Sequence, residues 1–127
     1  MFGDPAALKR LEAIVHPGVG EERAAFLARH AADPMVVFDI PLLFETGGDA
    51  QVDVTVVVSA DPATQAARVL ARPGMTAARL ADILARQMPD ADKRARADHV
   101  IPTDVPMDRT RAAVRHVIAC VRASQDR

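Results

Sequence analysis

The chain has 127 residues, half of them hydrophobic, with a formal net charge of -1. That is enough for one domain with a core and too little for two, and the even balance leaves no overall basic field for nucleic acid or an anionic membrane. One cysteine, Cys120, permits no internal disulfide. With no h-region or long apolar run to mark a signal peptide or membrane span, the expected setting is the cytoplasm.

No internal repeat, low-complexity tract or linker interrupts the pattern, which alternates short helices and strands. Asp4-Pro5 reads as an N-cap with Pro at the first helical position, followed by Leu8, Leu11, Ile14 and Val15 at helical spacing. His16-Pro17-Gly18 is expected to stop that helix, and a second one runs from about Glu21 to Ala31, ahead of Asp33-Pro34. Met35-Val36-Val37-Phe38 suits a strand buried on both faces and ending at Asp39. After Gly47-Gly48, Val52 to Val58 forms a second, β-branched strand. Asp61-Pro62 opens a helix that reaches about Arg72, where Pro73-Gly74 ends it, and Thr76 opens another that reaches Gln87. Asp90 starts a short charged helix, and His99-Val100-Ile101 is a brief strand. Beyond Pro102 and Pro106 lies a last helix with Val114, Val117, Ile118 and Val121 on one face. This order describes an α/β layered domain with a largely parallel sheet.

Three groups of residues could carry chemistry. In parallel α/β sheets ligands gather where strands end, so Asp39 and Glu45, flanking the apolar loop Ile40-Pro41-Leu42-Leu43-Phe44, fall at the functional rim. The plain alternative is a turn before Pro41 and a solvated Glu45. Arg68 and Arg72 are four apart, and Arg79 and Arg86 seven apart, so each pair shares a helix face. Two paired guanidinium forks suit a polyphosphate, since each stays charged and bonds oxygens bidentately. The alternative is a pair of wet, Arg-studded faces in a chain where fourteen of sixteen basic residues are Arg. His16, before Pro17, reads as a helix cap or a catalytic group. His30, His99 and His116 show no metal-ligand spacing with one another or with Cys120, which reads as a small core residue.

Together these segments resemble dephospho-coenzyme A kinase, the last enzyme of coenzyme A synthesis. The resemblance is carried by Phe2-Gly3-Asp4-Pro5 through Ile14-Val15-His16-Pro17, by Asp39-Ile40-Pro41-Leu42-Leu43-Phe44-Glu45-Thr46-Gly47, and by Gln65-Ala66-Ala67-Arg68 with Arg72 and Gly74-Met75-Thr76. Arg86-Gln87-Met88-Pro89, Lys93 and Ala97-Asp98-His99-Val100-Ile101 follow in order. The resemblance implies a P-loop kinase-like, three-layer parallel sheet that is incomplete at the N-terminus, with residues 1–127 as the C-terminal part of a single nucleoside-kinase-like domain. It implies transfer of the ATP γ-phosphoryl group to the ribose 3'-hydroxyl of dephospho-coenzyme A, assisted by Mg²⁺.

Carried over by position, the resemblance makes Arg68 the contact that stabilises the transferring group, and Arg72, Arg79 and Arg86 lid contacts. Pro102, Thr103 and Asp104 would lie near adenine, although the family commonly has Asn and Gly in that loop. His16, Asp39, Pro41, Leu42 and Glu45 would line the acceptor side. The family's glycine-rich loop, of the form G-x-x-x-x-G-K-[S/T], has no counterpart: neither Lys9 nor Lys93 follows a glycine or precedes Ser or Thr. The expectation is therefore a chain that needs a missing N-terminal segment for a complete fold and is inactive alone. Two other readings stay open, a non-catalytic acceptor-binding or interaction fragment and another P-loop nucleotide kinase.

Overall fold

A computed structural model of the chain describes residues 4–125. Phe2 and Gly3, which open the first matching segment, lie outside the described residues. The chain divides after Asp39 into two compact units.

The first unit is built on one helix, α1 (Pro5–Arg29). Asp4 caps it, its carboxylate accepting from the Ala7 N–H at 3.0 Å, and Pro5 supplies a fixed φ where no N–H is needed. At the other end the His30 N–H turns back to the carbonyls of Phe26 and Leu27. The expected break at His16-Pro17-Gly18 does not occur, and Pro17 sits inside the helix. An interior proline removes one backbone bond and crowds the preceding turn at about 3 kcal/mol, and α1 nonetheless runs through it and through Gly18 and Gly20.

After α1, residues 35–40 are extended but pair with no strand among the described residues. The strand expected to end at Asp39 is thus an extended segment without a ladder, because side-chain preference alone cannot supply the neighbour that a strand needs. It is anchored by Phe38, whose ring lies 5.9 Å from that of Phe26 with the Arg23 guanidinium 5.3 Å above it.

The second unit is mixed α/β. Residues 41–47 form consecutive turns closed by the Gly48 N–H on the Leu43 carbonyl at 2.9 Å, with Gly47 at φ 72°, a conformation that favours glycine. A short 3₁₀ turn (Gly48–Gln51) leads to β1 (Val56–Ser59). Then come α2 (Pro62–Leu70), α3 (Ala77–Arg86), α4 (Asp90–Arg96), β2 (His99–Pro102) and α5 (Met107–Gln125). β1 and β2 run parallel, with Val56 opposite His99 and Ser59 opposite Pro102, and the three intervening helices make the crossover that parallel strands require.

β1 is shorter than the expected Val52–Val58 strand. Its partner begins only at His99, opposite Val56, so residues 52–55 have no strand beside them among the described residues. The helix opened by Asp61-Pro62 closes at Leu70, leaving Arg72 in the turn beyond it. Among the described residues the buried apolar side chains are Phe44 in the turns, Leu80 on α3 and Ile101 on β2. The Arg96 guanidinium covers the Phe44 ring at 4.9 Å and pairs with Asp49 at 3.3 Å, tying the turns to α4. Among the described residues, no helix is long and apolar enough to cross a membrane.

Candidate functional site

The carboxyl ends of β1 and β2 gather several candidate residues within the second unit. The Ser59 carbonyl accepts from both the N–H of Thr103, at 2.8 Å, and its hydroxyl, at 3.1 Å. The Ser59 hydroxyl donates to Asp90 at 2.9 Å, and Asp90 in turn accepts from Arg94 Nε at 2.8 Å. α2 begins directly above. Its cap, Asp61, accepts from the Thr64 N–H at 3.1 Å and from the Thr64 hydroxyl at 2.6 Å. The Thr64 hydroxyl bond, foremost, holds the Asp61 carboxyl below the usual carboxylate range.

Arg68 is exposed on α2, and its Nη2 donates to the Thr103 carbonyl at 2.8 Å across 35 residues of sequence. Two residues assigned to the nucleotide side are thereby joined, and Pro102 adjoins them, its carbonyl taking the Thr110 hydroxyl at 2.8 Å. The other arginines are placed differently. Arg79 donates to the Gly74 carbonyl at 2.7 Å and so closes the turn between α2 and α3, where Gly74 has φ 78°. Arg86 is half-buried at the end of α3, and Arg72 is exposed past the end of α2. Beside this region a cleft of about 180 Å³ is lined by Val58, Ala60, Gln65, Gln87, Asp90 and Lys93, among others.

The acceptor-side candidates fall in both units. His16 lies mid-helix and exposed on α1, so the helix end it was expected to cap is absent, and Asp39 is exposed at the end of the extended segment. Pro41, Leu42 and Glu45 belong to the turns of the second unit. Both carboxylate oxygens of Glu45 are shielded from water without a hydrogen-bond partner among the described residues. A buried acceptor left unpaired is costly, and such a group calls for a donor. Glu45 is therefore not the solvated acid of the plain alternative.

Sequence reasoning missed the brace on Thr103 because it joins distant residues, and it missed Arg96 because a stacking partner leaves no local pattern. It also set aside His116 and Cys120, which lie one turn apart on α5 with Nε2 3.5 Å from Sγ. Cys120 is half-buried rather than part of the core.

The family model for dephospho-CoA kinase matches residues 1–108. The chain belongs to the dephospho-CoA kinase family. It is 51% identical over 127 residues to a dephospho-CoA kinase of Novosphingobium aromaticivorans, covering all of this chain and 63% of that protein. It is 53% identical over 123 residues to one of Cereibacter sphaeroides, covering 97% of this chain and 61% of the relative. Among solved structures, the crystal structure of TT1252 from Thermus thermophilus superposes with a TM-score of 0.78 at 38% identity, covering 93% of this chain and 61% of that one. The chain thus spans about 60% of the length of the curated dephospho-CoA kinases it matches. Membership of this family answers the reading as another nucleotide kinase.

Proposed function

We propose that residues 1–127 are the acceptor-binding and lid portion of a dephospho-CoA kinase, one part of a single domain with a three-layer, P-loop kinase-like parallel sheet. The complete enzyme transfers the ATP γ-phosphoryl group to the ribose 3'-hydroxyl of dephospho-coenzyme A in the cytoplasm. Arg68 grips the transferring group, with Arg72, Arg79 and Arg86 as lid contacts and Pro102 and Thr103 beside the nucleotide. His16, Asp39, Pro41, Leu42 and Glu45 serve the acceptor. The loop that cradles the β- and γ-phosphates comes from an N-terminal segment.

The observation that carries this reading is the bond from Arg68 to the Thr103 carbonyl at the carboxyl ends of two parallel strands, where ligands collect in α/β sheets. One of the five guanidinium N–H donors is used there, which leaves four for phosphate oxygens. Phosphoryl transfer spreads charge over oxygens and asks chiefly for positioning and charge stabilisation, which such a fork supplies. Glu45 adds support from the acceptor side as a buried acceptor in need of a donor. Among the described residues no group of three or more His, Cys, Asp or Glu side chains is arranged to hold a metal ion. None of these roles runs through the implied Mg²⁺.

The test compares residues 1–127 alone with the same residues joined to the N-terminal segment of a curated relative. ATP-dependent formation of coenzyme A is expected only from the joined chain. Turnover by residues 1–127 alone overturns the division of labour, and an inactive but folded joined chain overturns the kinase reading.

A further inference from the structure

We infer that the loop following β2 positions the reactive guanidinium of Arg68 through two pins on α2, and that Asp104 is a positioning residue for phosphoryl transfer. One pin is the Asp61 N–H, at the start of α2, which donates to Asp104 Oδ2 at 2.9 Å. The other is Arg68 Nη2 on the Thr103 carbonyl at 2.8 Å. One pin starts from Asp61, the cap before α2, and the other from Arg68 near its far end, and they land on adjacent residues of one loop. A single pin would let α2 swivel about it, whereas two fix its direction.

The loop is itself held. Thr103 is bonded twice to the Ser59 carbonyl, Ser59 is bonded through its hydroxyl to Asp90, and the Pro102 carbonyl takes the Thr110 hydroxyl at the start of α5. Position is therefore relayed from the end of the sheet to Thr103 and Asp104, and from them to both ends of the Arg68 helix. The Asp61 carboxylate accepts from Thr64 while its backbone N–H donates to Asp104, so the cap of α2 and the loop are tied through one residue. Arg68 is long and exposed, and without the pins its fork would sample many rotamers. With them it meets a phosphate oxygen from a set direction, and small displacements of such groups are costly in rate.

The functional part of this inference rests on the kinase reading above, and the test separates the two in the joined kinase. Asp104→Ala is expected to lower kcat by up to about 10²-fold while KM for dephospho-coenzyme A moves less than about twofold. Asp104→Asn should keep most of the rate, because its amide oxygen still accepts from the Asp61 N–H. In an Arg68→Ala background, Asp104→Ala should lower kcat no further. An equal fall in both backgrounds, or wild-type kcat in a folded Asp104→Ala enzyme, overturns the positioning role. If Arg68→Ala turns over normally, the kinase role of Arg68 fails instead, and the pins are then read from thermal melts. Non-additive Tm shifts for Arg68→Ala and Asp104→Ala support the two-point brace, and additive shifts overturn it.

Discussion

Thr55 and Asp98 grip each other from both directions. The Thr55 N–H donates to Asp98 Oδ2 at 2.8 Å, its hydroxyl donates to the same oxygen at 3.2 Å, and the Asp98 N–H donates back to Thr55 Oγ1 at 3.1 Å. The Thr55 carbonyl also accepts from the N–H groups of Asp98 and His99 at 3.1 Å. Thr55 is 8% exposed, a buried polar residue with every group engaged. The pair stands one residue before the first ladder rung, Val56 opposite His99, and so sets the register of β1 on β2.

Removing one side of that pair should therefore cost more than an ordinary surface change. Asp98→Ala leaves the buried Thr55 N–H without its acceptor, and an expected loss of about 1 to 3 kcal/mol follows. Asp98→Asn should lose less, since an amide oxygen can still accept, and Thr55→Val combined with Asp98→Ala should be less than additive. Urea unfolding of these three variants and of Thr55→Val alone checks this, and wild-type stability in Asp98→Ala contradicts it.

Arg68→Ala in the joined kinase should lower kcat by about 10²-fold or more with little change in acceptor KM, because a guanidinium on moving charge acts in the transition state. Arg68→Lys should rescue little, since a point charge cannot bond the Thr103 carbonyl and two phosphate oxygens in one plane. Steady-state kinetics with dephospho-coenzyme A varied separates the terms.

The capping of α2 carries a pH signature. The Asp61 carboxyl lies below its ordinary value of 3.8, so its contribution is fully present above that value and is lost as pH falls through the lowered one. Melts taken from about pH 6 down to about pH 2 should show this loss, and Asp61→Asn, which caps without ionising, should flatten it. An unchanged acid limb in Asp61→Asn would assign the acid sensitivity to other carboxylates.

Helix starts were legible in the sequence because they are local. Asp4, Asp61 and Thr76 each accept from an N–H three residues on, so a short polar side chain before an apolar pattern was enough to find them. Pairing was not legible. Met35 to Phe38 has strand composition and no partner among the described residues, while residues 52–55 lose theirs because β2 starts late. Pro17 misled in the opposite sense, since a penalty of about 3 kcal/mol was read as a stop although α1 runs through it. At the candidate site, partners were not legible. The family resemblance singled out Arg68 among four arginines, and only the fold brings Thr103 to it from 35 residues away.

Glu45 should show a trade between stability and binding. Its two oxygens are buried without partners among the described residues, so Glu45→Leu, which removes the unpaired acceptors and fills a similar volume, should stabilise the chain by about 1 to 3 kcal/mol. The same change should weaken dephospho-coenzyme A binding by the joined kinase, measured by calorimetry. A destabilised Glu45→Leu chain would show that the carboxylate already has a partner.

The last prediction concerns how far the chain stands by itself. β1 pairs with β2 along one edge, and its other edge has no strand among the described residues. Val58 on β1 is 67% exposed, Val37 in the unpaired extended segment is 80% exposed, and Ile14 on α1 is 76% exposed. Against these stands a buried apolar set of Phe44, Leu80 and Ile101. Fully burying one such side chain is worth about 1.5 to 3 kcal/mol, so three of them supply only part of what a domain needs to offset chain entropy. Open apolar edges also invite pairing between chains. Residues 1–127 alone should therefore melt broadly, bind a hydrophobic dye and associate as concentration rises. Adding the N-terminal segment of a curated relative should narrow the transition and raise Tm, because in the proposed sheet the open edge of β1 gains a strand partner. Scanning calorimetry and sedimentation at several concentrations measure both effects. A sharp, monomeric, high-temperature transition of residues 1–127 would mean that these edges are closed by the chain itself, and would count against the three-layer sheet as well as the missing segment.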